Sequence, residues 1–336
     1  MIEGLDISFK HILVDQRYFS GIVRCPYTPP QFKHTHEPEE QTMPEGTMTT
    51  TQSGLGIKRL AGALGAEITG LDLAEGNYDN LFPALYQAFL DHQVIVLRGQ
   101  NLSPDQLVDL SKKFGQLEAH VLTQFNMEEN PEVLLISNVK KAGKPIGAIY
   151  AGQYWHSDLS YMPRPTQGSF LHSKEIPSYG GDTMFCSMTQ AYDDLSEPMR
   201  AFLGGLTATH DYTNAYDTFF AHMPDRPPLT AEERAKVPPV THPVIRTHPE
   251  TGKKTVYVNP GFTRRINELS FTESRRVLDF LFEHCYQPQY IYRHMWGTGD
   301  LVIWDNRSTC HRAVADYDMS ENRHMIRCSV AGDVPQ

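Results

Sequence analysis

Apolar positions fall into two kinds of run along the chain. Five runs predict helices, and they are residues 79–92, 103–115, 188–195, 197–206 and 271–286. The first and last of these carry apolar residues at the three- and four-residue spacing of an amphipathic helix. In the second run, Ser103 suits the N-cap and Gly115 the end of the helix.

Short apolar runs bounded by Gly, Pro, Asn or Asp predict strands. They are residues 93–100, 132–139, 152–161, 168–173, 181–187, 243–248, 254–259, 290–296, 300–306, 310–316 and 323–332. Residues 57–73 predict two further short strands joined by a turn. Many short strands with helices before and between them indicate an α+β protein built on an antiparallel β-barrel or sandwich.

Two segments depart from this pattern. Residues 1–52 are rich in Pro, His, Glu and Thr toward their end and predict a flexible leader ahead of one domain, 53–336. Met43 and Met48 offer an alternative translation start, which the intact mass of the native product would decide. Residues 211–239 are polar and Pro-rich, and a loop of that length predicts a lid.

Composition and charge narrow the class of protein. The 336 residues are 40% hydrophobic and carry a formal net charge of −10, with no long basic run, so nucleic acid is not an expected partner. No apolar run is long enough for a membrane helix, and the first residues lack a signal-peptide core, so we expect a cytoplasmic protein. The five scattered cysteines predict reduced core thiols; they are Cys25, Cys186, Cys285, Cys310 and Cys328.

A metal-binding pattern is spread over two strand-like runs. His156 and Asp158 stand two apart in residues 152–161, a spacing that places both side chains on one face of a strand. One such pair is expected by chance among 15 histidines. His311 follows in a later strand-like run. Two histidines and one carboxylate can hold one face of an octahedral metal, as in non-haem Fe(II) oxygenases.

Two arginines close to the C-terminus suggest an anion site. Arg323 and Arg327 are four apart in a strand-like run, so both guanidinium groups can point into one cavity. Arginine is suited to bidentate binding of a carboxylate or sulfonate. Two exposed arginines on an edge strand would show the same spacing. Thr183 offers a hydroxyl on another predicted strand, where a core or solvent-facing threonine is the ordinary interpretation.

Several motifs occur together in a characteristic order. They are L-G-A-E-I-T-G-L-D-L at 64–73, W-H-S-D at 155–158, G-G-D-T at 180–183, V-N-P-G-F-T-R-R-I at 258–266, W-D-N-R-x-x-x-H at 304–311 and R-x-x-x-R at 323–327. In this order the chain resembles the Fe(II)/2-oxoglutarate-dependent taurine dioxygenase family (TauD/TfdA type), from about residue 57 to the C-terminus. The resemblance implies a double-stranded β-helix (jelly-roll) core with flanking helices and a lid insertion.

The resemblance also implies a cofactor site. His156, Asp158 and His311 would be the ligands of Fe(II). Thr183 and Arg323 would hold the distal carboxylate of 2-oxoglutarate, the cosubstrate that the family uses together with O₂.

For the primary substrate, the resemblance implies that Arg327 and His120 contact an anionic group, while Phe262 and Tyr216 line the pocket. The chain also departs from the taurine enzyme. Thr123 stands where that enzyme has a substrate-contacting Tyr, the lid matches poorly, and the loop between the last iron ligand and the arginine pair is one residue longer. These departures put taurine itself in doubt.

The expected activity is hydroxylation of a small anionic substrate, of the sulfonate, alkyl sulfate or aryloxyalkanoate class, coupled to decarboxylation of 2-oxoglutarate to succinate and CO₂. One alternative keeps the family but hydroxylates an amino-acid-like or other carboxylate metabolite without cleavage. Two others are a metal-binding sensor barrel and a zinc hydrolase on a similar barrel. We also expect a homo-oligomer, a dimer or tetramer.

Overall fold

The computed structural model describes residues 48–51, 54–76, 78–118, 123–149, 151–220 and 229–336. Nearly all of the predicted leader, 1–52, and the middle of the predicted lid, 221–228, lie outside the described residues. So does His120, together with the side chain of Thr123.

The described residues contain eighteen strands. They are β1 (Thr49–Thr50), β2 (Gly56–Arg59), β3 (Ala66–Thr69), β4 (Val94–Leu97), β5 (Leu134–Ser137), β6 (Lys140–Lys141), β7 (Lys144–Pro145), β8 (Thr166–Glu175), β9 (Thr183–Ser187), β10 (Thr207–His210), β11 (Val240–Pro243), β12 (Ile245–Thr247), β13 (Lys254–Val256), β14 (Thr263–Ile266), β15 (Ile291–His294), β16 (Leu301–Asp305), β17 (Thr309–Ala313) and β18 (His324–Ala331).

Seven α-helices accompany them in the described ranges. They are α1 (Phe82–His92), α2 (Pro104–Phe114), α3 (Met188–Asp193), α4 (Glu197–Leu203), α5 (Thr213–Ala215), α6 (Ala231–Lys236) and α7 (Phe271–Cys285). A π-helical turn, Tyr216–Phe220, continues α5. No described helix combines the length and apolar character that a membrane crossing requires.

The five predicted helices are confirmed, with ends set by local chemistry. The Ser103 hydroxyl accepts a hydrogen bond from the backbone N–H of Gln106, whose side chain accepts one from the backbone N–H of Ser103, so α2 begins with a capping box. Gly115 ends the helix. Ser270 and Glu273 form the same box at the start of α7. These polar ends satisfy backbone groups that the first turn of a helix leaves unpaired.

Eight of the eighteen described strands form one large sheet, whose order is β1-β2-β3-β4-β16-β8-β18-β5. Its central strand β16 is buried on both faces, and its side chains point alternately to one face and the other. Leu301 and Ile303 pack with α1 and α2, whereas Val302 and Trp304 pack toward a second sheet. The second sheet, called the small sheet below, has the order β15-β9-β17. The two sheets therefore share an apolar layer, as the predicted sandwich requires.

The small sheet is covered on its other side by helices. Cys186 and Cys310 point from β9 and β17 into a cluster with Met188, Leu278 and Leu281 of α3 and α7. Because successive strand residues face opposite sides, Cys310 facing the helices leaves the next residue, His311, facing the interior of the sandwich. The four described cysteines are buried and form no disulfide, which confirms the prediction of reduced core thiols for them.

Two predictions about local structure are wrong. Residues 152–161 are not a strand: His156 forms an isolated bridge with His311, and the chain then turns. Gly152 and Leu159 adopt left-handed φ values of 71° and 51°, which interrupt an extended chain on both sides of His156. The described parts of the predicted lid, in turn, are not an irregular loop, because they contain α5, the π-helical turn and α6.

Candidate active site

His156, Asp158 and His311 meet in the interior of the sandwich. His156 and His311 exchange two backbone hydrogen bonds, of 3.0 and 2.8 Å, so their rings project side by side with centroids 4.2 Å apart. The turn after His156 brings the Asp158 carboxylate to the same place. One ligand atom from each of the three residues lies within 4.8 Å of the others. The convergence arises from this bridge and turn, not from alternation along one strand.

The donor atoms of this group suit a divalent transition metal. The Tyr154 carbonyl lies 2.8 Å from His156 Nδ1 and can only accept, so Nδ1 carries a hydrogen and Nε2 is the ring nitrogen left to face a metal. His156 Nε2 lies 3.7 Å from Asp158 Oδ1, and His311 Nε2 lies 3.9 Å from Asp158 Oδ2. Buried lone pairs that face one another are stabilised by a cation between them. Two imidazoles and one carboxylate are ligands that Fe(II) accepts.

The protonation states support the same conclusion. Burial alone would raise the pKa of Asp158, but the charge of Arg327 and the neighbouring imidazoles hold the pKa of this carboxyl well below its usual value of 3.8. Burial, together with the adjacent His156, holds the pKa of His311 well below 6.5. At neutral pH the group therefore offers an ionised carboxylate and a neutral imidazole, the forms that bind metal.

The three residues line a cavity of about 800 Å³. Thr183, Tyr216, Phe262, Arg323 and Arg327 line the same cavity, so the structure brings together every predicted site residue within the described chain. Much of the remaining wall is aromatic or aliphatic, and includes Tyr154, Tyr161, Tyr212, Ile136 and Leu171. Phe262 packs edge-on against the rings of His156 and Tyr161.

Arg323 is a buried cation at one side of the cavity, with 7% of its surface exposed. Its Nε donates to the Gly181 carbonyl at 3.0 Å, and no carboxylate of the described residues lies within 4.0 Å of its guanidinium. The adjacent Asp182 pairs instead with Arg293, at 2.6 Å. Gly181 has φ 68°, and a Cβ there would lie 3.1 Å from Arg323 Nε, so glycine suits this close approach. An incoming carboxylate would give Arg323 an anionic partner, which none of the described residues supplies within 4.0 Å.

Thr183 lines the same cavity and is held by Trp296. The Trp296 indole donates to Thr183 Oγ1 at 3.0 Å. Because an indole N–H can only donate, the threonine oxygen is the acceptor and its own hydrogen is free to point elsewhere. Thr183 is buried, and its hydroxyl borders the cavity. Trp296 therefore leaves Thr183 as a hydrogen-bond donor toward whatever the cavity holds.

Arg327 is as buried as Arg323 and contacts a predicted metal ligand. Its Nη1 donates to Asp158 Oδ1 at 3.1 Å. Arg323 stands just before β18, and the pairing with β8 shifts between His324 and Met325, so the two arginines are not on a regular four-residue repeat. Both nevertheless line the cavity, as the sequence predicts.

Comparison with known proteins now identifies the family. A model described as taurine catabolism dioxygenase TauD, TfdA family, matches residues 56–329. The chain belongs to this family. A curated relative from Burkholderia sp. (strain RASC), named alpha-ketoglutarate-dependent 2,4-dichlorophenoxyacetate dioxygenase, is 36% identical over 71% of this chain and 82% of its own length. Another, from Pseudomonas putida and named alpha-ketoglutarate-dependent sulfate ester dioxygenase, is 32% identical over 84% of this chain and 91% of its own.

A solved relative of this TauD/TfdA protein shows the same fold. The crystal structure of AAD-2 in complex with Mn(II) and N-oxalylglycine is similar with a TM-score of 0.71 and 30% identity, over 84% of this chain and 98% of that one. The predicted family resemblance is thereby confirmed, as is a mixed fold of helices and large sheets.

Three residues of this TauD/TfdA protein that support the site were missed in the sequence. Ser169 and Asn306 contact Asp158, and Trp296 contacts Thr183. Asn306 stands inside the W-D-N-R string, which was a usable signal. Ser169 and Trp296 lie outside every motif considered, and nothing in the local sequence sets them apart.

Proposed function

We propose that this protein is an Fe(II)- and 2-oxoglutarate-dependent dioxygenase that hydroxylates a small anionic organic substrate. The observation that carries the proposal is the buried group of His156, Asp158 and His311 in one cavity with Arg323, whose guanidinium has no carboxylate partner among the described residues. When bound, Fe(II) with 2-oxoglutarate and O₂ supplies oxidative decarboxylation to succinate and CO₂, coupled to hydroxylation of the substrate. Membership of a dioxygenase family supports this assignment.

The chain's own residues bind and orient the reactants. His156, Asp158 and His311 would hold the metal from one side and leave the cavity side open. Arg323 and the hydroxyl of Thr183 would take the distal carboxylate of 2-oxoglutarate, which fixes the length and direction of the cosubstrate. The apolar walls exclude water from the reacting groups. We also infer that the large and small sheets together form the double-stranded β-helix of the family.

The cavity also supports a class of primary substrate. Its aromatic and aliphatic walls suit an aryl or alkyl body, and Arg327 offers positive charge beside the metal ligands. Relatives whose names specify a dichlorophenoxyacetate and a sulfate ester support an aryloxyalkanoate, alkyl sulfate or sulfonate. Hydroxylation next to the ether or ester oxygen, or the sulfonate, would give a product that fragments. Phe262 and Tyr216 would contact the body of this substrate, and the role of His120 stays a prediction, as does the homo-oligomer.

Anaerobic optical titration tests the function directly. Adding 2-oxoglutarate to the Fe(II)-loaded protein is expected to produce a weak visible charge-transfer band, and His156→Ala is expected to abolish it. His284→Ala is a matched control, because His284 also bonds a backbone carbonyl, Ala191 O at 2.7 Å, but lies on α7 outside the cavity lining. A wild-type protein that binds iron yet shows no band would contradict the proposal and favour the sensor or hydrolase alternative.

A second experiment tests the donor role of Thr183. Trp296→Phe keeps an aromatic ring but loses the indole N–H, so the Thr183 hydroxyl is no longer restricted to donating into the cavity. We expect the dissociation constant of 2-oxoglutarate, measured calorimetrically on Mn(II)-loaded protein, to rise roughly three- to tenfold. This rise corresponds to the loss of about 1 kcal/mol, the usual net contribution of one hydrogen bond.

Thr183→Val provides the comparison for that experiment. If Trp296 acts through Thr183, the double variant should bind 2-oxoglutarate no more weakly than Thr183→Val alone. Losses that simply add in the double variant would show that Trp296 affects the cavity by another route.

A further inference from the structure

A closed ring of hydrogen bonds surrounds the predicted carboxylate ligand. The backbone N–H of Asp158 donates to Asn306 Oδ1 at 3.1 Å, Asn306 Nδ2 donates to Ser169 Oγ at 2.9 Å, and Ser169 Oγ donates to Asp158 Oδ2 at 2.7 Å. All three residues are buried. The ring therefore ties the turn that carries Asp158 to β8 and to the end of β16.

Each hydrogen bond in this ring can run in only one direction from donor to acceptor. The ionised carboxylate can only accept, so the hydroxyl hydrogen belongs to the bond from Ser169 to Asp158. The Asn306 amide is oriented by a second donor, because the Trp304 indole also donates to Asn306 Oδ1, at 3.0 Å. Nδ2 must then face Ser169, whose oxygen accepts. Each buried polar group in the ring is satisfied, so the ring has one preferred arrangement.

Ser169 is well placed to hold a carboxylate still. It lies on β8 near the middle of the large sheet, where it pairs with Trp304 on one side and Ser329 on the other. A side chain on a central strand moves less than one on a loop, whereas Asp158 itself lies in a turn. Two elements of different rigidity therefore meet at one hydrogen bond.

Arg327 competes for the same carboxylate. Its Nη1 bonds Asp158 Oδ1, whereas Ser169 holds Oδ2. An arginine and a carboxylate pair most strongly through two parallel bonds, which would turn both oxygens toward Arg327 and away from the two histidines. With Oδ2 held by Ser169, Arg327 makes one bond to Asp158.

We propose that Ser169 and Asn306 are positioning residues that keep the Asp158 carboxylate turned toward the metal site and prevent its bidentate pairing with Arg327. This inference rests on the proposed function, in which Asp158 is a metal ligand. Residues that orient metal ligands typically change metal affinity 10- to 100-fold when they are removed.

Metal binding by the apo-protein tests the inference without turnover. Mn(II) is titrated against wild type, Ser169→Ala and Ser111→Ala, and free Mn(II) is followed by its EPR signal. Ser111 is the matched control: it is equally buried, and its hydroxyl also donates one bond of 2.7 Å, to the Leu107 carbonyl, but on α2 away from the metal group. We expect Ser169→Ala to bind Mn(II) roughly 10- to 100-fold more weakly, and Ser111→Ala to bind like wild type.

A second pair of variants separates the hydroxyl from packing. Ser169→Thr and Ser169→Val have nearly the same volume, but only the threonine keeps a donor for Asp158. Weak binding by the valine variant with near-normal binding by the threonine variant supports the inference, and equal binding by the two overturns it. Equal binding by wild type and Ser169→Ala also overturns it. A wild-type protein with no His156-dependent Mn(II) site would instead overturn the proposed function itself.

Discussion

Arg323→Ala is expected to weaken 2-oxoglutarate binding by orders of magnitude. Truncating one partner of a buried, hydrogen-bonded charge pair costs about 2–5 kcal/mol, which corresponds to roughly a 30-fold to several-thousand-fold rise in the dissociation constant. The large effect follows from burial: Arg323 is 7% exposed, and Arg327, another cation of the cavity wall, already bonds Asp158. Calorimetry on Mn(II)-loaded protein and the KM for 2-oxoglutarate measure it.

Two further variants make this experiment specific. Arg323→Lys keeps the charge but not the forked geometry, so we expect a loss intermediate between wild type and alanine. Arg276→Ala removes an exposed arginine on α7 and should leave cosubstrate binding unchanged. An unchanged KM for Arg323→Ala would remove Arg323 from the cosubstrate site.

Arg307→Met is expected to lower the free energy of unfolding by several kcal/mol. Arg307 is only 2% exposed and pairs with the buried Asp305 through two bonds, of 2.8 and 2.7 Å, and with Glu250 at 2.5 Å. Removing one partner of a buried ion pair leaves an uncompensated charge and costs about 3–5 kcal/mol. The free energy of unfolding from urea titration should fall by this amount.

The double variant Asp305→Asn/Arg307→Met is the decisive control. It removes the buried charge together with its partner, so it should recover part of the stability that the single variant loses. Arg275→Met breaks an exposed pair with Asp279 on α7 and should change the free energy of unfolding by less than about 1 kcal/mol. A single variant as stable as wild type would show that the Asp305–Arg307 pair contributes little.

The same pair gives stability a definite dependence on pH. Burial alone would raise the pKa of Asp305, but Arg307 and the bond from His248 lower it well below 3.8. The pKa of Asp305 in the folded protein is below its value in the unfolded chain, near 3.9. The contribution of the ionised Asp305 to the free energy of unfolding is therefore complete above about pH 4, and it is lost as the pH falls toward the folded-state pKa.

Local chemistry was enough to predict most elements of the fold. The capped helices α2 and α7 and the alternating strand β16 follow from neighbouring residues, and the structure confirms them. The failure at residues 152–161 has a physical cause. The left-handed residues Gly152 and Leu159 end the extended chain, and the letters of an apolar run do not reveal the φ of its members.

The candidate site was predictable as a set of residue types but not as an arrangement. The order of the motifs pointed to His156, Asp158 and His311, yet their convergence depends on a bridge between residues 155 positions apart. Long-range contacts of this kind also explain why Ser169 and Trp296 were missed. Neither has an unusual sequence neighbourhood, and each acquires its place only when β8 or the segment after β15 packs beside a site residue.

The bridge between His156 and His311 has a consequence for how such a protein can change during evolution. Two of the three proposed ligands are fastened to each other through main-chain bonds, which do not depend on side-chain identity. Much of the cavity wall comes instead from separate segments, such as residues 212–216, 229–233 and 140–149. Those segments can accumulate substitutions without disturbing the ligand spacing. The metal-binding group can thus be inherited unchanged while the substrate specificity of the cavity changes.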